Sequence, residues 1–351
     1  MSELVNEVLF RIQELNKKKK DLNLSKSVFI VGNTKVKNIA NYYWTPYRKS
    51  SDFISIGIIL FTENEVKSVF EIIDGKVDFV YIDCEKKSIN RDNNKSFDIE
   101  TMGYSLIKKS ILRFYKGNDI TTEAIDSLVR FLLRSKNKLV VGSNILIVGI
   151  GNLGFKTSLK LVERGANVYI LNRTKHKANK LINVINLIKP KESISSVKYY
   201  NVIQDTVDFD IILLCHLGNI KKYNEIYYNQ NTQCDFIDVG KGCLESSQIN
   251  FLINKGHKCL RLDIGDSLIG FIETDLSFYY TRNFVLPNYK IIENTNIRIL
   301  TRGLIGAKDD MVFDNVDNPT FFYGICDGKG GFKKTHTQKD LEMIKTILKN
   351  E

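Results

Sequence analysis

Gly149-Ile150-Gly151-Asn152-Leu153-Gly154 follows directly on the apolar run Ile145-Leu146-Ile147-Val148. Three glycines at this spacing each have a physical task. Gly149 allows a tight turn out of a strand, Gly151 lets backbone come close to a bound pyrophosphate, and Gly154 lets a helix pack closely on the sheet. The phosphates would lie against unpaired amides at the positive end of that helix. The surroundings supply the context the pattern needs. From Leu153 an amphipathic stretch sets Thr157, Leu159, Leu161 and Val162 against Lys156, Lys160, Glu163 and Arg164, and it ends at Gly165. A second apolar run, Val168-Tyr169-Ile170-Leu171, leads into Asn172-Arg173-Thr174.

That tripeptide chooses between cofactors. A carboxylate at the end of the second strand would accept hydrogen bonds from ribose hydroxyls and repel a 2′-phosphate. Here the position holds neutral Asn172, followed by Arg173, whose planar fork suits phosphate. Thr174 adds a hydroxyl, and Lys175 and Lys177 add positive charge. NADP(H) is the expected cofactor, with NAD as the alternative.

The reacting centre of such a domain lies beyond the carboxyl ends of its strands. Asp208–Cys215 reads as one of them, so Cys215 is expected beside the nicotinamide ribose and His216 is a candidate acid–base group. A lone histidine at a strand end is more often a structural group. The next strand end is Asp238-Val239-Gly240-Lys241-Gly242. Its glycines, Gly240 above all, would admit the nicotinamide, and Lys241 would protonate a carbonyl oxygen or hold a carboxylate. Asp238 is a third catalytic candidate, or else the group that orients Lys241. An exposed lysine in an ordinary turn is the plain alternative. Asp83-Cys84-Glu85-Lys86-Lys87, Arg261-Leu262-Asp263 and the turn from Tyr323 to Gly330 are secondary candidates, while His176, His257 and His336 read as structural. The six cysteines show no metal-ligand spacing, and no metal is expected.

Over residues 144–177 the chain resembles the NADP-binding segment of the shikimate and quinate dehydrogenases and of glutamyl-tRNA reductase. The resemblance implies that Gly149, Gly151, Asn152, Leu153 and Gly154 carry the pyrophosphate, and Asn172, Arg173 and Thr174 the adenosine phosphate. It implies no substrate, because the paired serines and lysine-bearing motif of shikimate dehydrogenase are absent. The order of lobes is similar to that of adenosylhomocysteine hydrolase and alanine dehydrogenase, where a substrate lobe precedes the dinucleotide domain and C-terminal helices return to it.

The elements that must position these residues point to an α/β protein. Its centre is a doubly wound parallel sheet (a Rossmann domain, 137–265), preceded by a smaller α/β lobe (1–136) and followed by a C-terminal segment (266–351) expected to fold back on the first lobe. In the first lobe strands are expected at Ser27–Gly32, Phe53–Phe61 and Val77–Asp83, and helices at Lys37–Trp44, Gly103–Phe114 and Thr121–Ser135. The last of these helices should turn Ala124, Leu128, Phe131 and Leu132 inward. Thr62 and Glu65 form a capping box, Val66, Val69, Phe70 and Ile73 line one helix face, and Lys86–Ser96 is a loop. Residues 266–284 and 337–349 read as helices, with irregular chain between.

A hydrophobic content of 43% and a charged content of 26% are those of a globular protein with a sizeable core. The net charge of +11 is spread along the chain without a nucleic-acid-binding motif, so it favours an anionic small molecule over nucleic acid. No run reaches membrane-span length, and the first residues mix acidic with apolar side chains, unlike a signal peptide. A cytoplasmic protein is expected, and homodimerisation is left open. The composite expectation is an NADP(H)-dependent oxidoreductase acting at a carbonyl, alcohol or imine centre of a small polar or anionic substrate. The alternatives are a lyase or hydrolase using tightly bound NAD by internal redox, and a non-catalytic dinucleotide-binding regulatory protein.

Overall fold

The computed structural model describes residues 2–33, 42–85, 98–202, 205–218, 224–228, 230–284, 288–292, 295 and 297–348. They form two compact units, Met1–Gly270 and Phe271–Glu351.

The first unit opens with α1 (Ser2–Asp21), β1 (Lys26–Asn33), β2 (Tyr43–Trp44), β3 (Arg48–Lys49), β4 (Phe53–Leu60), α2 (Glu63–Ile73), β5 (Phe79–Asp83), α3 (Ile99–Leu106), β6 (Ile111–Tyr115) and α4 (Gly117–Ser135). The sheet runs β2-β4-β1-β5-β6, with β3 also on β4. Strands β4, β1, β5 and β6 are parallel, and β2 and β3 run antiparallel to β4. The strand order reverses between β1 and β5, where open α/β sheets place their ligand crevice. The expected capping box is present: Thr62 accepts from the Glu65 amide, and Glu65 accepts from the Thr62 amide.

Three local expectations are corrected. Tyr43–Trp44 is strand rather than the end of a helix, and residues 37–41 of that stretch lie outside the described residues, as does the expected loop at Lys86–Ser96. Ile111–Tyr115 is strand β6, because its aromatic and β-branched side chains complete the sheet beside β5, whose backbone would otherwise be an open edge. Helix α4 starts at Gly117; Ala124, Leu128 and Leu132 turn inward as expected, beside Ile125, Val129 and Leu133, but Phe131 is 69% exposed.

Next come β7 (Asn144–Val148), α5 (Asn152–Glu163), β8 (Asn167–Leu171), α6 (Lys175–Ile188), β9 (Val197–Tyr199), β10 (Ile211–Leu214), α7 (Asn224–Tyr228), β11 (Asp235–Asp238), α8 (Ser246–Asn254) and β12 (Lys258–Arg261). All six strands are parallel, in the order β12-β11-β10-β7-β8-β9. This is the doubly wound Rossmann order, with its switch point between β7 and β10. Burial explains the unbroken apolar runs: Ile145, Leu146, Ile147 and Val148 are all at 0% exposure, since helices cover both faces.

Helix α4 leaves the first sheet and packs parallel to α5. Asp119 pairs with Lys156, Glu123 with Lys160, and Asp126 with Arg164, a ladder climbing both helices in step. Asp126 is the buried rung, taking Arg164 Nε at 2.5 Å and Nη2 at 2.8 Å. Beyond the helix, Lys136 reaches the buried Asp235 at 2.9 Å. Because α4 starts where β6 ends and α5 starts just past β7, the ladder turns the carboxyl ends of both sheets the same way.

Helix α9 (Gly265–Phe284) runs into the second unit, which holds β13 (Tyr289–Ile291), β14 (Arg298–Thr301), β15 (Met311–Phe313), β16 (Phe322–Ile325) and α10 (Gln338–Leu348). These strands form a mixed sheet of their own in sequential order, and Ile344 and Ile347 of α10 pack on Ile299, Met311, Phe313 and Ile325. Strands of three or four residues leave too little alternation to read from sequence. Among the described residues no helix is long and apolar enough to cross a membrane.

Two stability predictions follow from this packing. Asp126→Ala strands Arg164 against a buried surface and is expected to cost about 2 kcal/mol, below the range for a fully buried pair because Arg164 is partly exposed. Glu123→Ala, which breaks a solvated rung, should change urea stability by less than about 1 kcal/mol. Near the amino ends of β11 and β12, His257 Nδ1 accepts from the Cys234 amide at 3.2 Å. Burial, then Lys255 and Lys136, hold its imidazole below the ordinary value of 6.5. The unfolded chain therefore binds this proton at a higher pH than the native one does. Stability is intact above that value and falls as acidification passes down through the lowered native value. His257→Gln should flatten the decline in thermal midpoint between about pH 7 and pH 5.

Candidate functional site

The turn after β7 is built from backbone. Gly149 has φ +101°, and its amide donates to Leu171 O at 2.8 Å. A Cβ on Gly154 would stand 2.0 Å from Gly149 O, so the first turn of α5 sits directly on the glycine turn. Asn172 stitches the turn to the end of β8: its Oδ1 accepts from the Ile150 amide at 3.3 Å, and its Nδ2 donates to Thr174 O at 3.1 Å. Gly151 differs in kind. Its φ of −79° suits any residue, yet a Cβ there would meet nothing within 4 Å. What its missing side chain preserves is room over the first amides of α5.

Those amides take no side-chain cap, and the first turn of α5, which includes Asn152 and Leu153, has no acidic residue. The start of α4, the parallel neighbour, is filled. Asp83 Oδ1 accepts the Gly117 amide at 3.1 Å, and Glu85 Oε2 accepts the Asn118 amide at 2.8 Å. One helix start is met by the chain's own carboxylates, and the other has neither a side-chain cap nor an acid in its first turn. At the end of β8, Arg173, Thr174, Lys175 and Lys177 are all exposed, and α6 also begins without a side-chain cap or an acid in its first turn. The Lys175 ammonium lies 5.3 Å from the Tyr199 ring centre.

Across the switch point, the turns after β10 and β11 interlock. The Cys215 amide donates to Val148 O at 2.8 Å, and a Cβ on Gly149 would lie 3.0 Å from Cys215 O. A Cβ on Gly240 would lie 1.6 Å from His216 O, which also accepts from Cys243 Sγ at 3.0 Å. The space beside Gly240 is therefore filled by the His216 carbonyl, and glycine here serves the packing of two turns. Asp238 is committed to its own turn: its carboxylate accepts the amides of Lys241 (2.8 Å), Gly242 (2.7 Å) and Cys243 (3.3 Å). It thereby holds Lys241 at φ +66° and Gly242 at φ +74°, two successive left-handed residues. A non-glycine residue held in that region marks stored strain. Burial and Asp238 push the Cys215 thiol up to about 12, which leaves it a small hydrophobe rather than a nucleophile. Burial pushes the His216 imidazole below its ordinary value, so it is neutral at pH 7.

The glycine turn, Cys215, His216, Asp238 and Lys241 are thus gathered at the carboxyl ends of β7, β10 and β11. Lys86 and Lys87 lie outside the described residues. The turn around Tyr323 belongs to the second unit, where Arg302 lies 5.7 Å from the Tyr323 ring centre. His336 packs edge-on against Phe322.

Sequence reasoning did not find Arg48. From β3 it donates to both oxygens of Asp263 (3.0 and 2.8 Å), and its guanidinium lies where a Cβ of Gly265 would be, 1.9 Å from Cζ. Burial would raise the Asp263 carboxyl, but the hydrogen bonds from Arg48 and the Gly265 amide outweigh it and hold it below its usual range. The clasp seats the end of β12 on the β2–β3 edge of the first sheet. The signal was there in Asp263-Ile264-Gly265, but its partner lay more than two hundred residues away.

The glycine environments separate in a stability measurement. Gly154→Ala and Gly240→Ala drive Cβ into backbone carbonyls and should each cost about 1–3 kcal/mol in urea unfolding. Gly151→Ala should stay within about 0.5 kcal/mol of the parent.

Comparison with known proteins agrees with this geometry. The family model for the NAD-binding domain of 6-phosphogluconate dehydrogenase matches residues 144–258. A glutamyl-tRNA reductase from Sulfurimonas denitrificans is 37% identical over 75 residues, which span 21% of this chain and only 17% of that protein's length. Among solved structures, CAD from Helicobacter pylori complexed with NADP(H) is 16% identical, covering 52% of this chain and 46% of that one at a TM-score of 0.32. A dipicolinate synthase from Bacillus halodurans is 12% identical, with coverages of 73% and 98% and a TM-score of 0.36. L-tryptophan dehydrogenase from Nostoc punctiforme is 14% identical, with coverages of 67% and 69% and a TM-score of 0.39. The sheet order, the glycine turn and the family match together make residues 144–258 an NAD(P)-binding Rossmann domain.

Proposed function

We propose that this chain is an oxidoreductase that uses NADP(H) in preference to NAD(H), acting at a carbonyl, alcohol or imine centre of a small polar or anionic molecule. The observation that carries the reading is the open Gly151 over the uncapped start of α5, with the Arg173 guanidinium exposed at the end of the next strand. Gly149, Gly151, Asn152, Leu153 and Gly154 would hold the pyrophosphate by backbone amides. Arg173, Thr174, Lys175 and Lys177 would hold the 2′-phosphate, a role that Asn172 supports by fixing the turn rather than by contact. When bound, the nicotinamide supplies or accepts a hydride.

The remaining work falls to side chains at the switch point. His216, held neutral by burial, can accept a proton on a ring nitrogen. Lys241 can hold a carboxylate or give a proton to an oxygen, and Asp238 positions it through the turn backbone. Cys215 contributes a small, uncharged wall.

Fluorescence titration tests the cofactor half. NADPH should bind at micromolar concentration or tighter, and NADH about tenfold more weakly. Arg173→Ala should remove most of that difference while leaving NADH affinity in place. Gly151→Ala should weaken both without loss of fold. Failure of both dinucleotides to bind at micromolar concentration would rule out the oxidoreductase reading. Tightly held NAD that resists removal would favour internal redox instead. Lys241→Ala with full turnover would take Lys241 out of the mechanism.

A further inference from the structure

One row of paired residues crosses the carboxyl end of the first sheet. Tyr43 lies opposite Ile59, Ile59 opposite Gly32, and Asp83 opposite Tyr115. Val31 pairs with Ile82, which sets Gly32 beside Asp83 in the same row. Paired residues on neighbouring strands project from the same face. Gly32 is the gap in the row: a Cβ there would stand 2.5 Å from Ile59 Cδ1 and 3.3 Å from the Tyr115 hydroxyl. Tyr115 therefore reaches from β6 past Asp83 to β1. Its hydroxyl lies at the switch point of this sheet, the position where open α/β sheets bind ligands.

Two kinds of polarity meet along the row. At the Tyr43 end, the Arg48–Asp263 clasp seats the end of β12; burial raises the Tyr43 hydroxyl above its ordinary value, and Arg261 is near enough to offset part of that rise. Arg261 is exposed and pairs with no carboxylate among the described residues. At the other end, Asp83 is 3% exposed, and its Oδ1 takes the amides of Glu85 and Gly117, both at 3.1 Å, which fixes the carboxylate in place. Burial, then Asp83 and Tyr43, raise the Tyr115 hydroxyl far above its usual range, so it remains a proton-bearing donor. A cation with phenol donors suits a carboxylate; a fixed buried carboxylate suits an N–H or O–H donor.

We propose that this row, with Arg261, binds a small carboxylate that carries a hydroxyl or amino group beside it, the carboxylate at Arg261 and Tyr43 and the donor group toward Asp83 and Tyr115. The oxidisable carbon of such a molecule is the one bearing the hydroxyl or amino group. The proposal thus rests on the oxidoreductase reading for the fate of the ligand, though not for its binding.

Isothermal titration of the full chain, with and without NADPH, uses L-lactate, L-alanine and propionate as probes. Lactate or alanine should bind about tenfold more tightly than propionate, and which of the two wins identifies the donor as hydroxyl or amine. Arg261→Ala should weaken all three about tenfold or more, with Arg261→Lys recovering part of the loss. Asp83→Asn, which keeps an acceptor for the two amides, should narrow the gap to propionate. NADPH affinity should be unchanged in every variant. Equal binding of lactate, alanine and propionate, unchanged binding by Arg261→Ala, or no binding of any probe would overturn the proposal. NADPH binding without acid binding sinks this site alone, and Arg261-dependent acid binding without NADPH binding sinks the oxidoreductase reading alone.

Discussion

The parallel ladder between α4 and α5 is the constraint on which the first unit depends. Its buried rung, Asp126, is fixed by two hydrogen bonds from Arg164, while the outer rungs, Asp119–Lys156 and Glu123–Lys160, are solvated and contribute little energy. A buried acid resists slip, because moving the helices by one turn would take Arg164 away from Asp126 and leave it only Arg130 of its own helix. Register is what the ladder supplies. With α4 rooted at the end of β6 and α5 just past β7, that register sets the carboxyl ends of two separate sheets facing one way. The Arg48–Asp263 clasp then closes the same arrangement from the β2–β3 edge.

The same alignment explains how two neighbouring helix starts come to behave differently. Both carry the positive end of a helix dipole. At α4 that charge is met by Asp83 and Glu85, delivered by the strand next to β6. At α5 the preceding turn is glycine and apolar residues, so nothing internal meets it. The Rossmann sheet thereby presents an uncapped helix start at its switch point, and the first sheet a buried carboxylate at its own.

The Rossmann domain was legible because its strands are buried on both faces and its turns are punctuated by residues with no alternative. Ile145–Val148, Gly149, Gly154 and Gly165 all sit where their physics requires. The first lobe was less so. Ile111-Leu112-Arg113-Phe114-Tyr115 offers a helix apolar positions as well as it offers them to a strand, and only the open edge of β5 decides the matter. Tyr43–Trp44 is two residues long and owes its conformation entirely to β4. Reading both as helix hid Tyr43 and Tyr115, and with them the row across the first sheet. Arg48 was hidden for a different reason, since its role exists only through a carboxylate distant in sequence. At the strand ends the residue types were readable, and one of the two readings of Asp238, as the group that orients Lys241, matches its hydrogen bonds; the space at Gly240, however, is filled by the His216 carbonyl.

Glycine shows most clearly what a sequence pattern withholds. Within Gly149-Ile150-Gly151-Asn152-Leu153-Gly154 the letters are the same, but the space each missing side chain leaves is not. Gly154 gives its space to the Gly149 carbonyl, Gly240 gives its space to the His216 carbonyl, and Gly32 gives its space to Ile59 and the Tyr115 hydroxyl. In each case the protein consumes the room, and the glycine is a packing device. At Gly151 nothing consumes it, and no φ requirement explains the residue. Gly151 is thus the member of the motif whose open space the proposed pyrophosphate would approach, while Gly149 and Gly154 shape the turn that presents the amides.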